Sequence, residues 1–122
     1  MGKKKSANGH AWLRPRLRVM VGDEIALGPG RADLMELIHK TGSLRAAAKR
    51  MRVSYMRAWK LVKFTNRFFS EPVVAVVRGG KTGGGAKLTR TGQRTLAIYR
   101  QMESECHNAM GSNWNRMLNL LK

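Results

Sequence analysis

The sequence predicts a mostly helical fold with a small β component. Three observations carry this. Apolar residues recur at helical spacing from residue 31 to residue 69 and again beyond residue 91. Around 16–27 and 72–89 the spacing changes toward that of short strands. Glycine, proline and serine stand at the joints between these stretches.

The elements follow in chain order. Residues 1–12 are polar and basic without periodicity and are expected to form a disordered arm, which in a DNA-binding protein can add phosphate or minor-groove contacts. Leu17, Val19 and Val21 alternate as in a strand, Gly22-Asp23-Glu24 turns the chain, and Ile25-Ala26-Leu27 suits a return strand. Gly28-Pro29-Gly30 is expected to break it. A first helix is predicted over 31–40, with Leu34, Leu37 and Ile38 on its apolar face and Gly42 past its end. Ser43 suits the N-cap of a short second helix carrying Leu44, Ala47, Ala48 and Met51. After a turn at Arg52-Val53, Ser54 suits the N-cap of a third helix running from Tyr55 to about Phe69, with Ala58, Val62 and Thr65 or Phe69 inward. Residues 72–77 read as a strand covered on both faces or nearly so, 78–86 as a basic glycine-rich loop, and 87–89 as the returning strand. A long helix from 91 to about 110 places Leu96, Tyr99, Met102 and Cys106 on one stripe expected to be buried. Residues 111–122 form a short amphipathic tail with Trp114, Met117, Leu118 and Leu121.

Helix, tight turn, helix, then a hairpin and a long C-terminal helix is the order of a winged helix-turn-helix. Residues 13–110 are assigned to that domain.

Charge points to the partner. The chain of 122 residues carries 24 Lys and Arg against 7 Asp and Glu, a net +17. Between residues 37 and 70 there is no carboxylate, yet the stretch holds Lys40, Arg45, Lys49, Arg50, Arg52, Arg57, Lys60, Lys63 and Arg67. A basic segment between less basic flanks is the footprint expected of a nucleic-acid surface. The major groove admits a helix and displays a distinct donor–acceptor pattern for each base pair. Base contacts are therefore expected from the first turns of the third helix, at Ser54, Tyr55, Arg57, Trp59 and Lys60. Arg57 or Lys60 suits guanine O6 and N7, and Tyr55 a phosphate or a thymine methyl. Trp59 fits either the DNA surface or the core. Lys63 and Arg67 fall later in the helix and suit phosphates. Ser43, Arg45, Lys49, Arg50 and Arg52 are placed to straddle the backbone, contacts that position without reading sequence.

The loop Arg78-Gly-Gly-Lys81-Thr82-Gly-Gly-Gly superficially resembles a phosphate loop, but a P-loop requires four residues between its first glycine and a Gly-Lys-Ser/Thr that leads into a helix. A wing explains it better: glycines permit close approach to the sugar-phosphate chain while Arg78, Lys81, Thr82 and Lys87 supply charge and a hydroxyl. No catalytic set is present in the sequence. His10, His39 and His107 lie far apart, and Cys106 is the single cysteine, so no intramolecular disulfide or Cys/His zinc spacing exists. No enzyme activity, metal or cofactor is expected. With no spanning apolar run and no apolar stretch after the basic start, a cytoplasmic location away from membranes is expected.

At this point the residues resemble a known family. Leu27-Gly-Pro-Gly-Arg31, Thr41-Gly-Ser-Leu-Arg-Ala-Ala-Ala48, Met51-Arg-Val-Ser-Tyr-Met-Arg-Ala-Trp59 and Gly79-Gly-Lys-Thr-Gly-Gly-Gly-Ala-Lys-Leu-Thr-Arg-Thr-Gly92 are similar to the N-terminal DNA-binding domain of the ModE molybdate-responsive regulators, and more distantly to LysR-type winged domains. The resemblance spans about 70% of the chain. It implies double-stranded DNA as partner and a homodimer, with Val19, Leu96, Tyr99, Met102 and Cys106 as contact candidates. The family's molybdate sites lie in a C-terminal region for which residues 108–122 are too short. The expectation is therefore DNA binding without molybdate binding, any effector being sensed by a separate partner protein. The leading reading is a sequence-specific transcriptional regulator. The alternative is a low-specificity architectural protein that coats DNA, since each neutralised phosphate adds non-specific affinity. A protein-binding adaptor and an RNA-binding module rank behind these, the latter lacking aromatic stacking platforms.

Overall fold

A computed structural model of the chain describes residues 10–77 and 85–122. The elements run β1 (Val19–Val21), β2 (Glu24–Leu27), α1 (Pro29–Thr41), α2 (Leu44–Met51), α3 (Tyr55–Arg67), β3 (Val74–Val77), β4 (Gly85–Leu88), α4 (Arg90–Ala109) and α5 (Gly111–Leu118). This is the mostly helical winged helix-turn-helix with a long C-terminal helix that the periodicity predicts.

One compact unit spans Arg18–Ala97. Its core is built on α1, α2 and α3, where Leu34, Ile38, Leu44 and Val62 are buried, together with Leu27 at the end of β2. Ala32, Ala47 and Ala58 have no exposed surface at all, so helix backbones approach closely at their crossings. β1 and β2 pair antiparallel around a turn in which Gly22 has φ +59°, a left-handed conformation that a side chain would resist.

Helix α1 begins two residues before its expected start. β2 ends before Gly28-Pro29-Gly30 as expected, and Pro29 also opens the helix, because proline lacks an N–H that would be unpaired at that position anyway. Gly28 is the N-cap, and its carbonyl accepts from Ala32 N at 2.9 Å. Gly42 closes α1 in the left-handed region, at φ 68°. The two serine caps stand as read from sequence. Ser43 Oγ accepts from Ala46 N, and Ser54 Oγ from Arg57 N, both at 3.0 Å. Between α2 and α3 the turn rests on Arg52, the non-glycine residue with positive φ (60°) among those described.

The hairpin β3–β4 pairs Val74 with Leu88 through Val77 with Gly85. It is fastened to the helices at three places. Ser43 and Gly85 form an antiparallel bridge, and Ala86 N donates to Gly42 O at 3.1 Å. The Asn66 side chain, in the last turn of α3, accepts from Val73 N (2.8 Å) and Val74 N (3.1 Å) and donates to Val74 O (3.0 Å). Thr89 donates through its hydroxyl to Pro72 O and accepts from Gly92 N, capping the start of α4. A Cβ at Gly92 would collide with the Val73 carbonyl, so glycine is what lets α4 start against β3.

Two expectations need correction here. The strand at 72–77 is not covered on both faces. Val73 and Val74 are buried, but Val76 and Val77 are 37% and 54% exposed, because β3 is the outer strand of a two-stranded sheet whose other strand, β4, carries the bridge to Ser43. Helix α3 stops at Arg67, where Phe68 N turns back to Thr65 O.

The second unit comprises, among the described residues, 10–17 with Ile98–Lys122. Tyr99 is buried and its hydroxyl donates to Leu17 O at 2.7 Å. The buried stripe of α4 differs from the apolar one expected. Tyr99, Glu103 and His107 face inward, Met102 is exposed, and Leu96 and Cys106 are half-buried. The Tyr99–Leu17 bond fixes the helix rotation, and Arg100 Nη1, 3.0 Å from Glu103 Oε1, offsets the burial of that carboxylate. Helix α5 buries none of its residues.

Candidate nucleic-acid interface

Helix α3 is packed by Ala58, Val62 and Thr65, which line up at helical spacing against α1 and α2. That rotation turns Met56, Arg57, Lys60, Lys63, Phe64 and Arg67 out to solvent. No carboxylate occurs between residues 37 and 70, so nothing within that stretch neutralises these cations. Neither α2 nor α3 has an acidic residue in its first turn, and the positive helix ends keep their field.

Several cations are held over aromatic rings. The Arg45 guanidinium lies 4.9 Å from the centre of the Tyr55 ring, bridging α2 to the head of α3. Lys63 Nζ stands 4.3 Å from the Trp59 ring, and Arg67 is 5.4 Å from Phe64. Such stacking restrains long side chains that would otherwise lose rotamer entropy on binding a ligand. Trp59 is half-buried beneath Lys63.

The other residues singled out from sequence fall as follows. Lys49 and Arg50 are exposed in the last turn of α2, and Arg52 is exposed in the turn. Ser43 and Ser54 are committed as caps through one lone pair each. Lys87 is exposed on β4. Arg78, Lys81 and Thr82 lie outside the described residues. Of the residues assigned to dimer contact, Val19, Leu96 and Cys106 are half-buried, Met102 is exposed, and Tyr99 is enclosed within its own chain.

A cleft of about 400 Å³ opens beside the head of α3. Arg31 from α1 lines it together with Ser54, Arg57 and Lys60, and Met56, Leu61 and Phe64 supply its apolar wall. Sequence reading assigned no role to Arg31, Met56 or Phe64. The signal available for Arg31 was its place directly after Gly-Pro-Gly, at a helix start where a cation opposes the dipole. Burial pushes the Arg31 guanidinium below the usual arginine range, and the Glu24 carboxylate pulls it back up.

The chain shares 41% identity over 85 residues with the molybdenum transport protein ModE of Azotobacter vinelandii. The matched segment is 70% of this chain and 32% of that protein. The chain is ModE-like. The molybdenum-pterin-binding protein MopB of Rhodobacter capsulatus is 38% identical over 94 residues, covering 77% of this chain and 34% of its own length. The DNA-binding transcriptional dual regulator ModE of Escherichia coli K12 is 35% identical over 83 residues, covering 68% and 32%. The ModE-like chain thus spans about a third of the length of these relatives. No family model matches it. Among the described residues, no group of three or more His, Cys, Asp or Glu stands together to hold a metal ion, and no helix is long and apolar enough to cross a membrane.

Proposed function

We propose that this ModE-like chain is a sequence-specific transcriptional regulator of double-stranded DNA. The observation that carries the reading is the outward row Arg57, Lys60, Lys63 and Arg67 on α3, held on a packed core in a segment without carboxylates. In this reading α3 with its cap Ser54 enters the major groove, with Arg57 or Lys60 donating to guanine and Lys63 and Arg67 meeting phosphates. The wing at 78–87 follows the backbone or the minor groove. Arg45, Lys49, Arg50 and Arg52 hold the flanking phosphates. The winged fold and the E. coli relative's name, a DNA-binding transcriptional regulator, support the reading.

The same proposal makes the protein a homodimer. Met102 and Ile98 on α4, and Met117, Leu120 and Leu121 at the C-terminal end, are exposed apolar side chains that a second copy would cover. Tyr99 would act from beneath, by fixing which face α4 turns outward. A two-fold pair would address half-sites about 34–36 Å apart, one helical turn of DNA.

The test is selection of genomic fragments by the purified protein at physiological salt, followed by sequencing. Enrichment of a palindromic site is the expected result, and its half-site spacing reports the dimer geometry. Uniform, steeply salt-dependent binding with no enriched site refutes sequence-specific regulation and leaves the architectural reading.

A further inference from the structure

We propose that the cleft beside the head of α3 seats one sugar-phosphate unit of the DNA backbone, with Arg31 as its anchoring cation. This rests on the DNA-binding reading above and adds a contact from α1, outside the reading helix.

The lining is of two kinds. Arg31, Arg57 and Lys60 contribute three cations, and no carboxylate is among the lining side chains. Met56 and Phe64 are large apolar side chains left 57% and 44% exposed at the same place. A free tetrahedral oxyanion would use the cations and leave this apolar wall wet. A nucleotide of the backbone uses both, its phosphate on Arg31 and on whichever of Arg57 and Lys60 does not read guanine, and the C–H face of its deoxyribose on Met56 and Phe64.

Arg31 also has a donor to spare. Its Nη1 is shielded from solvent and has no hydrogen-bond partner among the described residues. An unsatisfied buried donor on a charged group is costly, so the side chain gains by turning this donor out of its shielded position onto a phosphate oxygen, a strong acceptor. Glu24 acts on Arg31 through its charge, but the pull does not cancel the effect of burial. The nearby N-terminus of α3 adds the positive end of a 13-residue helix to the same spot.

The contact has a signature separate from base reading. Arg31 is on α1, so losing it should weaken binding to every sequence by the same factor. Arg31→Gln and Arg31→Lys would be compared with wild type by fluorescence anisotropy, on the selected operator duplex and on a scrambled duplex of equal length, over a range of salt. Arg31→Gln is expected to weaken both about tenfold and to make the log–log salt slope shallower by about 0.9, one phosphate's worth. Arg31→Lys restores the slope and only part of the affinity, because it lacks the forked donors. An unchanged slope in a folded Arg31→Gln protein overturns the proposal.

Should Arg31→Gln fail to fold, the wild-type chain still decides. The Arg31 Nε–Hε NMR signal is followed during titration with the duplex and, separately, with inorganic phosphate. A saturable shift with duplex at concentrations where phosphate has no effect supports the seat. Saturation by phosphate alone, or by an acidic apolar peptide but not by duplex, overturns it. Failure of the wild-type protein to bind any duplex refutes the DNA-binding reading and this inference with it. Wild-type binding with an indifferent Arg31 refutes only the inference.

Discussion

The Asn66 clamp joins the end of α3 to the base of the hairpin, and its removal has a calculable cost. One side chain satisfies Val73 N, Val74 N and Val74 O, all in part-buried positions. In effect the amide stands where a neighbouring strand's backbone would stand. Asn66→Ala deletes all three bonds. At about 1 kcal/mol net per hydrogen bond the loss is about 3 kcal/mol, reduced toward about 2 kcal/mol if water reaches the freed groups. For a domain in the 60–100-residue class, about 4–8 °C is lost per kcal/mol, so the melting temperature should fall by roughly 10–20 °C. Thermal denaturation followed by far-ultraviolet circular dichroism measures it. Asn66→Asp is the internal control. It keeps an acceptor for Val73 N and Val74 N but sets a carboxylate oxygen against the Val74 carbonyl, and should fall between wild type and Asn66→Ala. A loss of less than about 3 °C in Asn66→Ala would refute the reasoning, since it would mean the three bonds contribute no more than solvent does.

Two further substitutions separate folding from binding in the helix-turn-helix. Arg52→Gly should raise the melting temperature, because relieving a left-handed non-glycine residue gains about 1–2 kcal/mol while the added freedom of the unfolded chain returns roughly 0.5–1 kcal/mol. The same variant should bind DNA more weakly with a shallower salt dependence, and a variant that is no more stable would show the turn to be unstrained. At Ser54, alanine should cost about 1 kcal/mol of stability through loss of the bond to Arg57 N. Ser54→Asp should keep that cap and the stability yet weaken duplex binding by placing a negative charge at the head of α3. Equal duplex affinity for Ser54→Asp and wild type would remove the head of α3 from the interface.

Local chemistry accounts for what the amino-acid sequence determined. Ser43 and Ser54 cap their helices, Gly42 ends α1, and Ala58, Val62 and Thr65 turn inward because these outcomes depend on residues three or four positions away. Charge, likewise, needs no coordinates: a stretch of +9 without a carboxylate between residues 37 and 70 stays basic in any fold. What lay beyond sequence involved partners distant along the chain. The apolar spacing of α4 pointed to Met102, yet the hydroxyl of Tyr99 finds the Leu17 carbonyl and the helix rotates Glu103 and His107 inward instead. Val76 and Val77 are as apolar as Val73 and Val74, and only the packed structure, in which Asn66 holds the first pair against α3, shows which pair is buried. The place of Arg31 at the start of α1 marks it as unusual but does not tell what it faces. It belongs to the cleft because the packing of α1 and α3 brings it beside Arg57 and Lys60. Capping and charge are set over a few residues, whereas burial, the rotation of α4 and the convergence of side chains on one cleft are set by the three-dimensional packing.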